Sequence, residues 1–129
     1  MQEDNLFEYA VIRVVPAVER EEFLNVGAVL FCANQKFLKM AYNLDEKRLL
    51  ALNPTIDIPE IKEYLTAFDQ VCKGGGDGGG IGSLPMAERF RWLTAVRSTV
   101  VQTSKVHPGF CKDAGEMLDR LFVQMVLQS

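Results

Sequence analysis

Glu22-Phe23-Leu24-Asn25-Val26-Gly27-Ala28-Val29-Leu30-Phe31-Cys32 is apolar at both of its alternating sets of positions. In a strand, successive side chains point to opposite sides. Phe23, Val29 and Phe31 are therefore expected on one face, and Leu24, Val26, Leu30 and Cys32 on the other. A strand that is apolar on both faces has to be covered on both, which predicts an interior position in its sheet. Two residues interrupt the pattern. Asn25 needs hydrogen-bond partners if buried, and Gly27 predicts a bulge or the close approach of another backbone.

On either side of this run lie two further strands. Phe7 to Val15 is β-branched and aromatic, carries Arg13, and is closed by Pro16, which has no amide to give to a ladder. Ala33-Asn34-Gln35-Lys36 supplies a reversal into Phe37 to Tyr42, where alternation predicts one buried face. Helices follow. Asn43 and Glu46 read as a capping pair for a short helix stopped by Pro54, and Asp57, Pro59 and Glu60 open a longer one. In that longer helix Ile61, Tyr64, Leu65, Phe68, Val71 and Cys72 recur at helical spacing. Pro85 starts a third helix, Thr99 to Ser104 is a predicted fourth strand, and Val106 to Cys111 a predicted loop. Asp113 and Glu116 cap the last helix, whose apolar side is Met117, Leu118, Leu121, Phe122 and Met125. This order predicts an α+β fold: an antiparallel three- to four-stranded sheet, an N-terminal meander plus a later strand, with helices packed against it. One domain over 1–129 is expected, with a flexible Gly-rich connector at 73–83.

Composition narrows the class. A chain of 129 residues with 48% hydrophobic and 24% charged residues is sized for one globular core. It has no apolar run near the ~20 residues a membrane helix needs. Its first residues are acidic where a signal peptide would be basic, so a cytoplasmic location is expected. Cys32, Cys72 and Cys111 are odd in number and widely spaced, which argues against a disulfide framework or a zinc knuckle. The net charge of −3 conceals an uneven distribution. Residues 89–112 hold five Lys and Arg and no Asp or Glu, so an anion would be met there.

Most apparent motifs dissolve on inspection. The glycine run 74–82 satisfies a dinucleotide-binding spacing, but it follows a helix where such a site requires a strand. His107 and Cys111 lack the partners that a nucleophile pair or a metal site would need. Glu19, Glu21 and Glu22 read as a solvated turn around Arg20. The basic stretch is different. Arg89, Arg91, Arg97 and Lys105 come with Trp92, Gln102, Thr103, Ser104 and His107, which are donors for phosphate oxygens and planar faces for a base. Arg89 and Arg91 stand ~200° apart around a helix, so they cannot both point into one pocket. The competing explanation is a solvated helix face, with Arg89 stacked on Trp92 or an arginine paired with the acidic turn.

Tyr9-Ala-Val-Ile-Arg13, the Asn25-Val-Gly27 strand, Phe90-Arg91-Trp92-Leu93, Arg97-Ser98 and Leu121-Phe122 resemble the bacterial domain-of-unknown-function family 3037. The likeness runs from about Tyr9 to Val126. It implies a small stand-alone cytoplasmic bacterial protein, whose relatives are associated with neighbouring genes for kinases of the persister-toxin type, and it carries over no catalytic residue; no metal or cofactor is expected. Two functions are expected from the residues. One is a non-catalytic binding or accessory module whose surface at 89–109 meets an anionic ligand, a nucleic acid or a partner protein. Its candidate ligand-binding residues are Arg13, Asn25, Arg89, Arg91, Arg97, Gln102 and His107. The other is a small enzyme acting on a phosphoryl or acyl group, with Arg13, Asn25, Arg97 and His107 lining one cleft.

Overall fold

In the computed structural model, which describes residues 5–17 and 20–128, the doubly apolar run forms β2 (Leu24–Cys32). It lies between β1 (Asn5–Val14) and β3 (Phe37–Tyr42), antiparallel to both. β1 is interior too, because β4 (Val101–Thr103) and β5 (His107–Cys111) share its other side. Its alternation explains this: Ala10, Ile12 and Val14 enter one core while Phe7 enters the other.

The register of β1 on β2 slips at one point. Ile12 stands opposite Gly27, but Arg13 stands opposite Asn25, so Val26 is an extra residue in β2. The slip corrects the face assignment expected from alternation. Leu24 and Val26 join Val29 and Phe31 in one core, while Ala28, Leu30 and Cys32 remain in the other. Asn25 crosses to the second side, where its Nδ2 donates to the Met125 carbonyl at 3.1 Å. Phe23 then lies beneath Arg13, whose guanidinium carbon is 4.2 Å from the ring centroid. Gly27 also serves a close approach, since a Cβ there would stand 2.6 Å from the Ala41 carbonyl oxygen and 2.8 Å from Tyr42 Cβ.

β5 occupies the segment expected as a loop. Pro108 has no N–H for a neighbouring strand, which an edge position tolerates. Gly109 lets the Phe7 ring sit against the backbone, with a hypothetical Cβ 2.6 Å from Phe7 Cζ. Between β4 and β5 the ladder is carried by Ser104. Its hydroxyl accepts from the Val11 N–H at 2.9 Å, and its own N–H donates to the Val11 carbonyl at 2.8 Å.

Helices cover both faces. α1 (Glu46–Leu52), α2 (Ile58–Lys73) and α4 (Met86–Leu93) bring Leu49, Ile61, Leu65, Phe68, Phe90 and Leu93 onto one side. α5 (Ala114–Phe122) brings Ala114, Leu118 and Leu121 onto the other and continues into a π-helical turn at Val123–Leu127. Asp57 and Asp113 cap α2 and α5 by accepting from the amides of Glu60 and Glu116. α1 is capped by Asp45, not Asn43, because the Asn43 N–H is still paired to Val26 as a last rung of the sheet. The glycine-rich segment carries a 3-10 turn (Gly76–Gly78) and a single helical turn, α3 (Gly79–Gly82), closed by Gly75 N–H on the Gly82 carbonyl at 2.9 Å. Among the described residues no helix is long and apolar enough to cross a membrane.

Gly27→Ala drives a methyl into the β3 backbone and is expected to cost roughly 1–3 kcal/mol, read as a lower urea midpoint. A midpoint equal to that of the unsubstituted chain would contradict the close approach.

Candidate functional site

The arginines of the acid-free segment have three different fates. Arg89 is buried, and its donors are used inside the molecule: Nη1 reaches the carbonyls of Val71 (2.9 Å) and Cys72 (2.8 Å), and Nε that of Leu84 (3.0 Å). These carbonyls include the last turn of α2, where the helix dipole favours a cation. The chain leaves α2 through Gly74 at φ 78, and a Cβ there would meet Arg89 Nη1 at 2.9 Å. Arg89 thus works as a cap on a neighbouring helix. Arg91, two positions on, is exposed.

Arg97 is half-buried at the end of α4. Its Nη1 donates to the Leu93 carbonyl at 3.2 Å and its Nη2 to that of Trp92. The guanidinium lies over the rings of Trp92 (4.7 Å) and Phe68 (5.1 Å), so Arg97 takes the stacking position on Trp92 expected of Arg89. Burial pushes its pKa below the usual arginine value, though an arginine stays charged at neutral pH. Among the described residues none of these arginines is paired with a carboxylate. The acidic turn pairs with Arg20 through Glu22 at 2.7 Å, and Glu19 lies outside the described residues.

Where β4 meets the loop after α4 there is a hollow of about 240 Å³, lined by Arg13, Arg97, Lys105, Gln102, Thr103 and Thr94 among others. Three cations line it and no Asp or Glu does. Arg13 arrives from β1, directly between Asn25 on β2 and Gln102 on β4. Its Nε is buried and has no hydrogen-bond partner among the described residues. Gln102 Nε2 donates to the Thr99 carbonyl at 2.9 Å, which fixes its side chain along the rim.

The other expected site residues lie elsewhere. Asn25 sits in the same cross-strand row, yet it lines a separate hollow with Asn43, Asp45 and Arg48, and its Oδ1 is buried without a partner among the described residues. His107 is exposed and its ring lies tilted against that of Tyr9, with centroids 5.3 Å apart. It is paired to β1 four residues from Arg13, about 13 Å along the strand. The expected cleft of Arg13, Asn25, Arg97 and His107 is therefore not assembled. Burial, followed by Asp69, pushes the Cys72 thiol up to about 12, which disfavours its thiolate. No group of three His, Cys, Asp or Glu among the described residues could hold a metal ion. Lys105 belongs to the hollow, and its place in the acid-free stretch was the available signal. Phe23 gave none, since its position depends on the register slip.

These features define a small α+β domain with a cation-lined hollow at the rim of its sheet. The chain belongs to the family described as "Protein of unknown function (DUF3037)", whose model matches residues 9–126. No curated protein matches it, and no solved structure does.

Arg89→Met removes three hydrogen bonds and leaves the α2 carbonyls unsatisfied, so a loss of roughly 2–4 kcal/mol is expected by urea unfolding. Arg91→Gln should stay within about 0.5 kcal/mol. Equal effects of the two would contradict the capping role.

Proposed function

We propose that this protein is a non-catalytic binding module that takes up an anionic group at the β4 rim. The observation that carries the reading is the lining of the hollow, where Arg13, Arg97 and Lys105 converge without a carboxylate. A guanidinium with a buried and unpartnered Nε gains from an acceptor, because an unmade hydrogen bond in a buried place is costly. Arg97 is positioned by carbonyls and rings, so its charge is not neutralised by the chain itself. Phosphate oxygens suit such a set, since charge-assisted hydrogen bonds from guanidinium and ammonium are the strong ones. The reading places the module in the bacterial cytoplasm as an accessory protein. Three free, buried cysteines fit a reducing compartment.

Retention on a heparin column at low salt separates a local site from a general charge effect. Lys105→Glu, at an exposed position in the lining, is expected to abolish retention, whereas Arg91→Glu, outside the hollow, should elute close to the unsubstituted chain. Equal losses in both variants, or no loss in Lys105→Glu, would remove the rim site.

A further inference from the structure

We infer that the anionic ligand is a single-stranded nucleic acid, laid along the strip of sheet that runs from the rim hollow to His107; the inference rests on the anion-binding reading above. α5 and the turn after it pack on β2 and β3. Beside them Tyr9, Arg13 and Gln102 are half-buried, while Phe23 and His107 are exposed. These five residues share one face. Arg13 and Tyr9 are an even number of positions apart on β1, and Gln102 and His107 are their direct cross-strand neighbours.

The strip offers two kinds of contact at two places. At one end Tyr9 and His107 form a ring pair with centroids 5.3 Å apart and planes 34° from parallel. At the other the Arg13 guanidinium carbon lies over the Phe23 ring, 4.2 Å from its centroid, and Arg13 lines the same hollow as Lys105. The two are about 13 Å apart along β1, a distance on the scale of the two or three bases that a sheet platform stacks. Cations alone would suit an acidic peptide as well. Planar rings interleaved with cations suit a strand whose bases are unstacked and whose phosphates repeat, because every base has a face to stack and every linkage has a charge. A duplex hides its bases and would gain only the charge.

The test is fluorescence anisotropy with a labelled eight-nucleotide oligouridylate on the full chain at low salt, beside heparin retention of the same variants. Saturable binding is expected, with log affinity falling against log salt with a slope of about −2, as for three phosphate contacts to a single strand. His107→Ala and Tyr9→Leu should each weaken the oligonucleotide about tenfold and leave heparin retention in place; Lys105→Glu should weaken both. Because His107 is exposed, its variant is not expected to disturb folding, and unchanged melting checks this. Heparin retention with no oligonucleotide binding overturns this inference alone, and the anion site stands. Failure of both removes both. Equal competition by a duplex of the same length or by polyglutamate, or unchanged affinity in His107→Ala and Tyr9→Leu, also overturns it.

Discussion

One extra residue in β2 sets the geometry of the rim. With Val26 left without a partner residue in β1, the strand before it reverses its facing, so Leu24 and Val26 stay in the core under α2 while Asn25 and Phe23 turn to the opposite side. Without the slip, Phe23 would point into the packed face and Arg13 would have no ring beneath it. Next to the bulge Gly27 pairs closely with Ala41 and Tyr42, where a side chain has no room. The register slip between β1 and β2 therefore decides which ring a β1 arginine meets.

The positive charge of residues 89–112 divides along physical lines. Arg89 is spent inside the fold, where helix carbonyls take the place of a counter-ion. Arg97 is shared: carbonyls and two rings fix its orientation, and one side remains in the hollow. Arg91 and Lys105 are exposed, but only Lys105 lines the hollow. A count of like charges along the chain is thus a poor measure of the field at a site, because burial and carbonyl partners remove some of them from solvent.

Much of the architecture was legible in the residues. The two apolar faces of Phe23 to Cys32 gave the interior strand, Asp57 and Asp113 gave the helix starts, and Gly27 flagged a bulge or a close contact, of which the close contact is at Gly27 and the bulge at the neighbouring Val26. The α+β class followed from the order of strands and helices. What could not be read was tertiary in origin. The exchange of faces at Val26 depends on the partner strand, and β5 forms from a Pro-Gly segment that reads locally as a loop. Helical spacing foretold that Arg89 and Arg91 diverge, yet which of them turns inward depends on the end of α2, which only the fold brings near. The hollow itself was half legible: Arg13, Arg97 and Gln102 were candidates, while Asn25 and His107 are held away from it by the C-terminal turn and by Tyr9.

Whether Arg13 is the receiving group can be read directly by following its Nε–Hε signal in a nitrogen–proton NMR spectrum while pyrophosphate is added. A saturable displacement of that signal, with the Arg89 signal unmoved behind its carbonyl partners, is the result predicted for an arginine that lines a cation-rich hollow and keeps its own Nε unpartnered among the described residues. An Arg13 signal that stays in place while other arginines shift would contradict it.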